Sequence, residues 1–92
     1  MLNLWTIQLQ AIDKERNIFR QYEIYGGKDL FEQPVLTIAY GRIGRVSMTR
    51  QYFFDSEKEL KQKTQMLLKK RLSSQNRIGT NYKIIFSSFE PE

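Results

Sequence analysis

Val46-Ser47-Met48-Thr49-Arg50-Gln51-Tyr52-Phe53-Phe54, followed by Asp55-Ser56-Glu57-Lys58-Glu59-Leu60, is where the hydrophobic period of this chain changes. Up to Phe54, Val46, Met48, Arg50, Tyr52 and Phe54 alternate with Ser47, Thr49, Gln51 and Phe53, the two-residue period of a strand. At Ser56 the pattern becomes helical. Ser56 and Glu59 have the spacing of a capping box, in which hydroxyl and carboxylate satisfy the first free amides of a helix. Leu60, Thr64, Leu67 and Leu68 then recur at i, i+4, i+7 and i+8, the stripe of an amphipathic helix ending near Leu72. Acids occupy its first turn and Lys69, Lys70 and Arg71 its last, as the helix dipole favours.

Upstream, three further segments carry the strand period. Leu2 to Ala11 places Trp5, Ile7 and Leu9 on one face, and Asp13 to Asn17 reads as a polar turn. Ile18 to Tyr25 has Ile18, Tyr22 and Ile24 in phase, with Gly26-Gly27 expected to break it. Pro34 marks the start of a third strand, Val35 to Tyr40, because proline cannot donate within a central ladder. Two glycines three apart, Gly41 and Gly44, indicate a turn needing unusual backbone angles. After the helix, Tyr82 to Phe86 suits a last strand. The expectation is an α+β fold: an antiparallel sheet of four to five strands with one amphipathic helix packed on it, short connections favouring a meander.

At 92 residues, residues 1–92 are expected to form one domain with its core over about residues 2–86. The composition, 40% hydrophobic and 13% aromatic, suffices for that core. Cysteine and histidine are both absent, which removes disulfides, thiolate metal sites, the thiol nucleophile and the usual general base. No acidic spacing resembles a calcium loop, so neither metal nor cofactor is expected. No apolar run approaches the ~18–20 residues of a membrane span, and the first residues lack a signal-peptide pattern, which makes a cytoplasmic location the default.

The formal net charge is +5, and it is unevenly placed. From Lys61 to Lys83 there are seven basic residues, Arg77 among them, and no acid. A one-signed stretch points to an anionic partner, nucleic acid first. Catalysis is poorly supplied: no Ser, Thr, Lys or carboxylate stands in an activating context, and no enzymatic role is expected. Gly26-Gly27-Lys28 and Gly41-Arg42-Ile43-Gly44 lack the strand–glycine loop–helix layout of a phosphate loop, so their glycines read as turns.

Tyr40-Gly41-Arg42-Ile43-Gly44 resembles the Trp-Gly-Arg-[Ile/Val]-Gly signature of the WGR domain. Asn17-Ile18-Phe19-Arg20-Gln21-Tyr22 is similar to the family's Asn-x-x-[Arg/Lys]-x-Tyr strand, and Asp29-Leu30-Phe31-Glu32 to the Asp-Leu-Phe-Gly loop of bacterial members. Phe53-Phe54-Asp55-Ser56 leading into a helix with a basic end, then Gly79 and Tyr82, resemble the remainder of the pattern. The likeness runs over residues 2–83, with Tyr40 in the place of the signature tryptophan. It implies a free-standing, non-catalytic module of bacterial type that binds nucleic acid, DNA ahead of RNA, at ends or nicks. The family's sugar-packing and polar contacts fall on Tyr40 and Arg42.

The residues themselves suit such a role. An aromatic at position 40 offers a stacking face, and Arg42 and Arg45 offer forked phosphate donors beside it. Lys69, Lys70 and Arg71, with Arg77 beyond them, could hold a backbone. By helical phase Arg71 falls near the Leu60/Leu67 stripe. The competing reading is a protein-interaction or scaffold module whose basic charge is incidental; a membrane surface is not expected.

Overall fold

The computed structural model of the protein describes residues 2–73 and 79–90. Five strands and one helix follow in the order β1 (Leu2–Asp13), β2 (Ile18–Lys28), β3 (Pro34–Arg42), β4 (Met48–Phe53), α1 (Glu57–Leu72) and β5 (Lys83–Ser87). Every pairing is antiparallel. The spatial order is β4-β3-β2-β1-β5, so four strands form the expected meander and β5 joins the far side of β1.

Alternation decides which side is dry. Trp5, Ile7, Leu9 and Ala11 of β1, Tyr22 and Ile24 of β2, and Leu36 and Ile38 of β3 form the core with Leu60 of the helix. The register supports this, since Ile7 lies opposite Ile24, which lies opposite Ile38. Leu60 and Thr64 are fully buried, and Leu67 and Leu68 pack against the same cluster. Thr64 is tolerated there because its hydroxyl donates to the Leu60 carbonyl at 2.9 Å. At the helix start Ser56 Oγ accepts from the Glu59 amide at 3.2 Å, while the Glu59 carboxylate accepts from the Asp55 amide at 3.2 Å. The cap thus forms as expected, its return bond reaching one residue further back.

Several boundaries differ from the sequence reading, with β1 running on to Asp13 and β3 to Arg42. β2 does not end at Gly26-Gly27 but runs through both to Lys28. A Cβ on Gly26 would stand 2.2 Å from the Trp5 ring, and one on Gly27 2.4 Å from the Leu2 carbonyl oxygen. These glycines make room for a neighbouring strand, a use of glycine distinct from the turn. β4 begins at Met48 instead of Val46, and β5 is displaced by one residue from the expected 82–86.

Proline starts β3 as expected, and the β2–β3 connection is built by Asp29. Its Oδ1 accepts from the amides of Phe31 and Gln33, both at 2.9 Å. Glu32 takes a positive φ of 61° within it.

Candidate nucleic-acid interface

β3 separates two ends of unlike character. Its nine residues at ~3.3 Å rise put Pro34 and Arg42 about 26 Å apart. At the Pro34 end lie the Asp29 turn and the helix start, with Asp29, Glu32, Asp55, Glu57 and Glu59. At the Arg42 end lie the β1–β2 turn, the β3–β4 turn and the helix C-terminus. Lys14, Arg20, Arg42, Arg45, Lys70 and Arg71 gather there, outnumbering Asp13 and Glu15 of the β1–β2 turn. Antiparallel topology therefore sorts a modest net charge into a basic end and an acidic one.

Tyr40 sits at the basic end, directly opposite Tyr22 on β2 and Met48 on β4. The expectation of an outstanding aromatic is corrected: the ring is half-buried against the core. It stacks on Tyr22 with centroids 6.2 Å apart and planes 26° from parallel. Tyr22 in turn meets Tyr82 edge-on at 6.1 Å. Register explains this, because directly paired residues share a face and aromatic pairs at such positions stack.

Arg71 comes to the same cluster from the helix. Its guanidinium carbon stands 4.4 Å from the Tyr22 ring centroid, as its phase beside the Leu60/Leu67 stripe implied. The Tyr22 hydroxyl and Arg71 Nε are both buried without a hydrogen-bond partner among the described residues. Lys69 and Lys70 point away from the core and are exposed. The helix end beside them is closed by Ser73, whose hydroxyl donates to the Lys69 carbonyl at 3.0 Å. Arg77 lies outside the described residues.

Arg42 is also committed, and more than its place in the turn suggested. Two of its nitrogens donate to Asn17, at 3.3 Å to the carbonyl and 3.0 Å to Oδ1. Its head lies 5.1 Å from the Phe19 ring centroid. Asn17 has a positive φ of 56°, so Arg42 braces a left-handed turn residue. The same side chain borders a depression of about 260 Å³ that Phe19 and Arg20 also line. Gly41 proves to be a strand residue paired with Gln21, so the turn itself is Arg42–Arg45. The Arg45 amide donates to the Arg42 carbonyl at 3.1 Å, and Gly44 takes φ +84° at the third position, where a side chain would be strained. Arg45 projects from this turn into solvent.

The register also brings in residues that the sequence reading did not single out. Arg50 faces Ile38 and Tyr52 faces Leu36 across β3 and β4, so both lie on the helix side. Hydrogen bonding with Tyr52, then charge and hydrogen bonding with Tyr40, push the Arg50 pKa above its ordinary value. Lys63, on the helix, stands 5.8 Å from the Tyr52 ring centroid. The β4 alternation already put Arg50 and Tyr52 on one face. Nothing local to the sequence said that this face meets Tyr40 and Lys63.

Among the described residues the two ion pairs are Arg16–Asp13 at 3.7 Å and Lys28–Glu57 at 3.5 Å. No carboxylate of the described residues therefore comes within 4.0 Å of Arg45, Arg50, Lys63, Lys70 or Arg71. The described residues contain no group of acids, histidines or cysteines arranged to hold a metal. No described helix is long and apolar enough to cross a membrane.

A family model described as the WGR domain matches residues 5–81 of the chain. No curated protein and no solved structure matches it.

Proposed function

The chain belongs to the WGR domain family, and from that premise we propose that it is a non-catalytic module that binds nucleic acid, DNA at ends or nicks. The observation that carries this reading is the basic end, where Arg71 lies over the Tyr22 ring that stacks on Tyr40 and Arg45, Lys69 and Lys70 stand exposed, with no carboxylate paired to them among the described residues. Unneutralised cations around a partly open aromatic suit a phosphate backbone and the sugar or base at its end. The non-catalytic part rests on a composition without histidine or cysteine. Sequence-specific readout is not part of the proposal, because no helix is presented to a groove by a recognition-helix or zinc-finger pattern.

Anisotropy titrations with blunt, nicked, closed-hairpin and single-stranded probes at two salt levels test it. Binding to ended or nicked duplex should exceed binding to the closed hairpin. With three to five phosphates neutralised, log affinity should fall against log salt with a slope of about −3 to −4. Flat curves with every probe at low salt would end the proposal.

A second reading, protein docking, is supported by one observation at the acidic end. Leu30 and Phe31, held out by the Asp29 turn, are 86% and 90% exposed. Apolar side chains presented this fully on an ordered turn suit a protein pocket. Salt-insensitive capture of a protein partner, lost on Phe31→Ser, would favour it.

A further inference from the structure

We infer that Arg50, on the same strand face as Tyr52, and Lys63, over its ring, form a clasp for one phosphodiester of the bound strand; this rests on the nucleic-acid reading above. Four observations carry the assignment. The pairing of β4 with β3 sets Arg50 and Tyr52 over the buried Ile38 and Leu36, on the rim of the core facing the helix. Lys63 reaches that rim from the helix and lies over the Tyr52 ring. Arg50 stands on that same face of β4 between Tyr52 and Met48, the residue paired with Tyr40. No carboxylate stands within 4.0 Å of either cation among the described residues.

The chemistry follows from these placements. Arg50 is exposed with no carboxylate beside it among the described residues, and a neutral phenol does not neutralise a guanidinium, so its charge stays available. Two cations gathered at one aromatic residue repel each other, and an anion lodged against both relieves that repulsion. A phosphodiester has one charge shared by two unesterified oxygens, one for the guanidinium and one for the ammonium. Tyr52, 36% exposed, adds a ring edge for the neighbouring sugar or base. Because Met48, two residues before Arg50 on that face, pairs with Tyr40, the clasp abuts the signature position, and a strand leaving Tyr40 would pass between β4 and the helix.

The test is a salt series on labelled nicked duplex, from about 50 to about 200 mM, for wild type, Arg50→Gln, Lys63→Gln and the double variant. Lys58→Gln, on the first helical turn at the other end, is the control. The expected loss for the double variant is roughly tenfold at low salt. Its salt slope should fall by about one and not two, since both groups grip one phosphate. Each single variant should already show most of that fall, and an RNA probe should lose binding in proportion. Arg50→Lys with Lys63→Arg should restore the slope.

An unchanged slope in the double variant, an equal loss in Lys58→Gln, or a fall of two would overturn the clasp while the nucleic-acid reading stands. Wild type that binds no probe would remove both. Melting curves run alongside separate a structural role. A double variant that melts well below wild type, with binding per folded molecule unchanged, would assign the two cations to covering Tyr52 and overturn the clasp.

Discussion

Replacing Tyr40 by alanine removes a ring that serves the fold and, under the proposed function, the ligand. The stack on Tyr22 accounts for ~0.5–1.5 kcal/mol beyond its buried area. Half-burial of the ring adds about 1 kcal/mol, given ~1.5–3 for a fully buried large side chain. Tyr40→Ala should therefore cost about 2 kcal/mol. At ~4–8 °C per kcal/mol for a domain this small, the midpoint should drop by about 8–16 °C. Tyr40→Trp keeps a stackable ring at a position open to solvent on one side, and should cost under ~1 kcal/mol. Binding is read well below either midpoint, by anisotropy on nicked duplex. There alanine should weaken affinity by a further ~1–3 kcal/mol, the usual worth of an aromatic–base contact, and tryptophan should match or exceed wild type. An alanine variant that melts with wild type would refute the stacking energetics. One that melts early yet binds normally per folded molecule would leave Tyr40 a core residue only, and the ligand contact would have to lie elsewhere on the basic end.

Four other outcomes are expected. Gly26→Ala forces a methyl into the Trp5 indole, 2.2 Å away, and should cost at least ~1–3 kcal/mol in a denaturant melt; an unchanged melt would mean the two strands separate easily there. Lys69→Gln with Lys70→Gln should leave stability nearly unchanged and reduce the salt slope by up to about two units, and an unchanged slope would make those lysines helix-end groups alone. Ser56→Ala should lose the Glu59 amide's acceptor and about 1 kcal/mol of stability. Burial first, then the hydrogen bond and charge of Glu23, push the Tyr25 phenol up to about 12. Its folded form thus holds the proton more tightly than the unfolded chain. The associated stability is present below pH 10 and fades as pH climbs from 10 to about 12. Glu23→Gln should move phenolate absorbance to lower pH, and a titration unchanged by that substitution would contradict the assigned cause.

What could be seen in the sequence was what a local period encodes. The Ser56–Glu59 cap, the Leu60–Thr64–Leu67–Leu68 stripe and the alternation of Trp5, Ile7 and Leu9 each depend on neighbours a few residues away, and each stands in the fold as expected. Gly26-Gly27 was misread because glycine's meaning there is set by Trp5 and Leu2, more than twenty residues off, filling the space of its absent side chains. How far Tyr40 is covered was not legible for the same reason. How its ring is covered depends on Tyr22 across the ladder, itself met by Arg71 from a helix two elements after β3. Arg50 and Lys63 had the right charge throughout, but their convergence on Tyr52 is a product of register and helix docking, neither of which has a local signature.

β5 carries a consequence in time. Each pairing within the meander closes a short connection, whereas β5 must return to β1 across most of the chain, Ser87 meeting Ile7. Loop closure over that separation is slow relative to a hairpin, so β5 should be the last strand seated. Phe89 belongs to the same event, its ring set edge-on to Trp5 at 5.1 Å. Until they dock, the β1 edge is unpaired and the indole uncovered. That edge would accept a second molecule's β5 as well as its own, making the final step of folding the one with an intermolecular competitor. Refolding yield should accordingly fall with protein concentration, and the by-product should be an exchanged dimer in which each molecule completes its neighbour's sheet.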